Sequence, residues 1–271
     1  MASAIYNELA SAGTHLDSSF LLPYKTKIID YFMSLGQVLP AFPYMRRVCI
    51  TSALCAATDA RVFDFVHFNA NKSAIAHKTL FIDETVYNDA NALSLDSQIT
   101  HCLLRDVTKT WQSSESKWQM LGHTEQYFLA MHEATLQMLA EQIENQALVE
   151  SENPLFFLKS VMRVIKVLVG EEKVASQLLN NTKALEAEIS RLTNNAFDFN
   201  ALAFEMQKSY DLTKAKVPNQ VHHRIQAGLK ALISAKRQED NFILVAILDE
   251  FNNEPPACLL GAGINPAGRR Y

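Results

Sequence analysis

The residues whose type and spacing suggest a chemistry are cations. Lys208, Lys214, Lys216, Arg224, Lys230, Lys236 and Arg237 fall in one window whose single carboxylate is Asp211. A local field of this kind attracts polyanions even on a chain of formal net charge -4. His222 and His223 lie in the same window, and Tyr210 is its one aromatic. Contact with a phosphate backbone or an anionic membrane therefore fits better than base stacking. A solvated helix face is the other reading of the pattern, and spacing leaves both open. A secondary basic stripe, Lys159, Arg163 and Lys166, recurs at i, i+4 and i+7 in a segment rich in Phe, Leu, Val, Ile and Met. Such a helix can lie in a lipid interface with its cations among the headgroups. It can equally be a core helix whose cations snorkel outward.

No residue is nominated as catalytic. Gly13, Gly36 and Gly122 are isolated, so neither a phosphate-cradling loop nor a nucleophile elbow is present. His101 and Cys102 are neighbours in sequence, which says nothing of a pair in space, and an inward cysteine is the simpler reading. Metal ligands are not expected either. Cys49 and Cys55 have five residues between them, no spaced histidine pair follows, and His123 and His132 are nine apart. No cofactor is implied. Four scattered cysteines do not make a disulfide framework, and Met1 to Leu22 lacks the basic start and apolar core of a leader. A reduced, cytosolic or nuclear protein is the expectation.

These cations must be positioned by helices. Apolar residues make up 48% of the chain and charged residues 20%, which suits a folded core, and the 8 Gly and 8 Pro argue against a loop-rich β fold. Helical spacing predicts segments at 2–12, 24–35 and 96–111, and a long helix of Tyr127, Met131, Leu136, Leu139 and Ile143 beginning near Thr124. The apolar run Tyr44 to Ala57 reads as a central core helix, and Val62 to Phe68 as a short helix capped by Thr58-Asp59. Residues 74–95 read as helix or coil despite some β character in Leu80-Phe81-Ile82. Asn153 and Pro154 restart a helix that Gly170 stops. Further helices follow at 171–192, 198–210, 221–235 and 242–251, the last capped by Asp240. The tail from about 252 is irregular. Residues 1–150 hold 10 Lys and Arg against 16 Asp and Glu, and residues 151–271 hold 15 against 13. The expected architecture is all-α: a two-part multi-helical bundle, with an N-terminal helical core domain over 1–150 and a C-terminal helical domain over 151–271.

The order of these features resembles the matrix proteins of orthomyxoviruses. Leu136-Gln137-Met138-Leu139-Ala140-Glu141-Gln142-Ile143, a polar stretch and Asn153-Pro154-Leu155 are similar to that family's long helix and the start of its C-terminal half. Ala92-Leu93-Ser94-Leu95, and Thr58-Asp59-Ala60-Arg61 followed by Phe65-Val66 and Asn69, resemble N-terminal segments in the same order. The divergence points to a thogotovirus-like member. The influenza-type basic cluster would fall near Leu80 to Ala92, where Asp83, Glu84 and Asp89 make the chain acidic, and the Cys/His zinc-like motif has no counterpart. Neither site is carried over.

What the resemblance implies is a viral structural protein of the virion, without catalysis. It would self-assemble beneath the envelope and bridge the membrane to the ribonucleoprotein, supporting assembly and budding. Its implied partners are itself as a homo-oligomer, the viral ribonucleoprotein or RNA backbone, an anionic membrane surface, the viral nuclear export protein and envelope glycoprotein tails. Its implied places are the inner face of the envelope, as a peripheral membrane protein, and the host cytoplasm and nucleus. A competing reading is a helical bacterial effector that binds or activates a host small GTPase. It rests on a loose likeness of Asp240 to Leu248, before Pro255-Pro256, to an exchange-factor core.

Overall fold

The three segments expected to be helix or coil between residues 44 and 83 are strands. The computed structural model describes residues 2–39, 41–58, 60–69, 75–89, 95–108, 128–146, 156–179, 182–211, 219–236 and 241–253. Helix α1 (Ala2–Ser11) leads into strand β1 (Gly13–Leu16) and, after one 3-10 turn, α2 (Leu22–Ser34). Next come β2 (Met45–Thr51), α3 (Leu54–Thr58), β3 (Val62–Phe68), β4 (Ile75–Asp83) and α4 (Glu84–Asn88). The strands form one mixed sheet in the order β1-β2-β4-β3, with β2 and β4 parallel and the other two pairs antiparallel. The all-α expectation is therefore corrected: the protein is mostly helical and carries a four-stranded sheet in its N-terminal half.

Two physical causes make these strands. Met45 to Thr51, Val62 to Phe68 and Ile75 to Asp83 are rich in β-branched and aromatic residues, which suit a pleated, half-buried surface. The sheet is also covered on both faces. Leu9, Cys49, Leu54 and Phe81 form a small apolar cluster with Tyr6, Phe63 and Phe65 on one face. Val48, Ile50, Leu80 and Ile82 join the main core on the other. A strand buried on both sides shows no polar alternation and imitates a buried helix.

Gly13 is set by this packing. A Cβ there would meet Cys49 Sγ at 2.4 Å and the Ile50 carbonyl oxygen at 2.7 Å. Gly13→Ala is expected to cost about 1–3 kcal/mol by overpacking, read as a lower urea midpoint. An unchanged midpoint would mean that β1 does not pair with β2 as described.

The remaining described elements are helices, as expected. They are α5 (Leu95–Val107), α6 (Phe128–Glu144), α7 (Phe156–Val169), α8 (Glu171–Leu179), α9 (Thr182–Leu192), α10 (Phe199–Asp211), α11 (Asn219–Ala235) and α12 (Phe242–Asn253). The helix expected over 171–192 corresponds to α8 and α9, with residues 180 and 181 between them outside the described residues. Gly170 stops α7 with φ +95°, and Asn194 and Asn195 end the α9 turn with φ of 50° and 59°. Asn241 accepts the Ile243 N–H at 3.1 Å at the start of α12, and the expected cap Asp240 lies outside the described residues. The central helix is α6, buried on nearly every side from Ala130 to Glu141. Around it one apolar cluster runs from Leu21 to Leu244. The expected junction at Asn153-Pro154-Leu155 and the tail beyond Asn253 lie outside the described residues. Among the described residues, no helix is long and apolar enough to cross a membrane.

Candidate functional site

The basic window spans α10 and α11. Asp198 starts α10 by accepting the Ala201 N–H at 3.0 Å, and Phe199, Leu202, Ala203 and Met206 are its buried face. On α11, Val221, Ile225, Leu229, Leu232 and Ile233 turn inward. Gly228 lets the pair close, since a Cβ there would stand 3.3 Å from Leu202 Cδ1.

What this packing leaves on the surface is basic. Arg224, Lys230 and His223 are exposed, and α11 contains no Asp or Glu. Lys208 and Arg224, from different helices, meet on one carboxylate: Glu205 Oε1 lies 3.1 Å from Lys208 Nζ and 3.2 Å from Arg224 Nη1. The Lys208 ammonium also sits 4.0 Å from the Phe204 ring centroid. Lys236 follows the end of α11, half-buried and within electrostatic reach of Glu188. His222 is buried, and that burial, together with His223, lowers its pKa. Lys214, Lys216 and Arg237 lie outside the described residues. The structure thus places Lys208 beside Arg224 and sets Lys230 apart on the exposed side of α11, and Glu205 moderates the field from just upstream of the window.

Within the secondary stripe Lys159 is buried, whereas Arg163 and Lys166 are partly exposed. Lys159 is 1% exposed and ion-paired with Glu141 of α6, and Arg163 Nη2 lies 3.7 Å from the same carboxylate. Lys166 Nζ donates to Gln142 Oε1 at 2.6 Å. All three cations line the seam between α6 and α7. Of the two readings of this segment, the core helix is the one that fits: Lys159 is buried, Arg163 and Lys166 stay partly exposed, and the carboxylate and amide that receive these cations come from the preceding helix.

A second charged group escaped the sequence reading. Between the sheet and the helices, Lys78 of β4 pairs with Asp64 of β3. Arg105 of α5 reaches Asp64 at 3.4 Å and Glu133 of α6 at 3.6 Å, and His101 Nε2 lies 3.3 Å from Glu133 Oε2. Burial pushes the Asp64 and Glu133 carboxyls up, but Lys78 and Arg105 around Asp64, and Arg105 and His101 around Glu133, hold both below their ordinary values. Nearby, Asp106 accepts the Met45 N–H at 2.9 Å, and burial raises its pKa. The visible signal was a charge set inside each of two largely apolar strands, Asp64 and Lys78, with His101 and Arg105 one helical turn apart.

This set clamps sheet to helices and contains no activated nucleophile. Burial and the Asp64 charge push the Cys102 thiol up to about 12, so it stays protonated at neutral pH, and His101 is turned to Glu133. Among the described residues, no group of three His, Cys, Asp or Glu side chains could hold a metal ion. Comparison with protein families, with curated proteins and with solved structures found no match to this chain.

Proposed function

We propose that this chain is a matrix-type structural protein, a non-catalytic scaffold that self-assembles and holds a polyanion on its α10–α11 face. The observation that supports this reading is the surface of α11, which offers Arg224 and Lys230 to solvent and has no acidic residue anywhere along its length. Lys208 joins Arg224 across the helix pair through Glu205. Such a face meets phosphates by charge, without reading a sequence. Single contacts of this strength are weak, and assembly multiplies them by effective concentration. The partners it would bridge are an anionic membrane under an envelope and a ribonucleoprotein. The likeness to orthomyxovirus matrix proteins rests on the sequence: Leu136 to Ile143 lie on α6, and Asn153-Pro154-Leu155 lie outside the described residues. Thr58, Ala60 and Arg61 lead into a strand here, where the residue pattern predicted a short capped helix.

Sedimentation with anionic vesicles and with RNA, across a salt series, tests the reading. Replacing Lys230, Lys236 and Arg237 with Glu removes three cations worth about 1 kcal/mol each at an anionic surface. The expected loss is about a hundredfold in affinity, with a shallower salt dependence and an unchanged helical spectrum. Unchanged binding at low salt would overturn it.

A further inference from the structure

The sheet face beneath α1 carries a second cationic cluster, in the half of the protein that the α10–α11 reading does not use. In the β2–β4 pair Arg47 stands opposite Thr79, and in the β3–β4 pair His67 stands opposite His77. Alternation along the strands places all four on the same face as Phe81. The two imidazoles stack, with centroids 4.0 Å apart and planes 13° from parallel. Tyr6 of α1 meets His67 edge-on at 4.4 Å, and His67 Nε2 lies 3.1 Å from Thr79 Oγ1. His77 Nε2 is buried with no hydrogen-bond partner among the described residues. Arg46 sits beside the group, at the register irregularity between Met45 and Arg47.

The charge balance of this cluster is open. Arg46 and Arg47 are exposed, and neither is ion-paired with a carboxylate among the described residues. Arg46 Nε donates only weakly, at 3.4 Å, to the Pro43 carbonyl oxygen. The charged and titratable groups facing His67 are Tyr6 from α1, Arg47 from β2 and His77 from β4; those facing His77 are His67, Arg46 and Arg47. All but the tyrosine are cations or become cations on protonation. Stacked imidazoles this close repel when both are charged, so the second proton is disfavoured until a counter-anion binds.

We propose that Arg46, Arg47, His67 and His77 form a pH-dependent oxyanion site that takes a phosphate group. Guanidinium forks match phosphate oxygens in pairs, and protonated imidazoles add charge-assisted donors. The direction of the pH dependence follows from the unliganded state. Burial, then His77 and Arg47, hold His67 down at about 4, so it is neutral near pH 7. An anion bound between the guanidiniums and the rings raises both imidazole pKa values, and by linkage it binds more tightly as pH falls. The source of the phosphate is either a lipid headgroup or a free phosphate, and both present the same chemistry.

The test uses the full chain labelled with 15N, observing the imidazole nitrogens while inorganic phosphate is added. Sulfate, whose charge is constant over this range, is the parallel probe. Saturable shifts of His67 and His77 are expected, with affinity about tenfold higher near pH 5.5 than near pH 7.5. Arg47→Gln is expected to weaken binding by about tenfold or more. Because Arg47 is exposed, that variant is expected to fold, and an unmoved His222 resonance confirms it. Lys230→Glu leaves these shifts unchanged, which separates this site from the α10–α11 face. Retention on phosphatidic acid vesicles that Arg47→Gln abolishes assigns a headgroup; phosphate binding without retention assigns a free phosphate. The proposal is overturned if the rings show no saturable shift, or if the shifts survive both Arg46→Gln and Arg47→Gln.

Discussion

Replacing Lys78 with Met lowers the free energy of unfolding by about 3–5 kcal/mol, the cost of stranding a charge in a buried pair. Lys78 is 0% exposed and Asp64 8%, so water does not replace the ammonium once it is gone. Arg105 remains at 3.4 Å from Asp64, but it also serves Glu133 and cannot neutralise both carboxylates. The pH dependence supplies a second check. Asp64 and Glu133 have depressed pKa values in the fold, so the stability they contribute is full above the ordinary carboxylate range. That stability is lost as pH falls through the depressed values. Without Lys78, Asp64 takes up its proton at higher pH, and the variant's deficit narrows in acid. Urea unfolding at several pH values measures both effects. A deficit under about 1 kcal/mol, or one that does not change with pH, would show that the pair is not buried as described. Lys78→Met combined with Asp64→Leu is expected to recover most of the loss, since removing both charges removes the desolvation cost with the attraction.

The same residues show why the N-terminal half was hard to read. In α5, Ile99, Leu103, Leu104 and Val107 recur at helical spacing, and α11 repeats the pattern with Ile225, Leu229, Leu232 and Ile233. α11 keeps a solvent side and α5 a partly exposed polar one at Gln98, His101 and Arg105, so the period survives in the sequence. The strands have no such side. Val48-Cys49-Ile50 and Leu80-Phe81-Ile82 send neighbouring residues into two different cores, and the result is an unbroken apolar run. Phe63 and Phe65 alternate with Val62, Asp64 and Val66, yet both faces are mainly apolar and the period of two is blurred. The Asp64–Lys78–Arg105–Glu133 network depends on the β3–β4 register and on the docking of α5 and α6, neither of which is local. The basic window was legible as charge alone. Glu205, which tethers two of its cations, became part of it only when α10 folded against α11.

Lys159 separates the two readings of the stripe, because a buried seam and a lipid-facing edge predict opposite results for one substitution. Lys159→Met is expected to cost about 3 kcal/mol, at the low end for a broken buried pair. Arg163 still lies 3.7 Å from Glu141, and it covers part of the charge left behind. The loss should appear as a lower urea midpoint, since α6 is the helix around which the others pack and Glu141 is how α7 is registered on it. Vesicle binding by the folded variant, in contrast, should keep its affinity and salt dependence, because an ammonium 1% exposed contributes no headgroup contact. Glu141→Gln removes the carboxylate of the pair instead. It should destabilise at least as much, and it too should leave the salt dependence alone. If Lys159→Met weakens vesicle binding while its unfolding midpoint stays fixed, α7 meets lipid and the seam is wrong. If both midpoints fall and binding holds, the polyanion contacts belong to the later helices, where α11 leaves Arg224 and Lys230 in water with no acidic neighbour on their own helix.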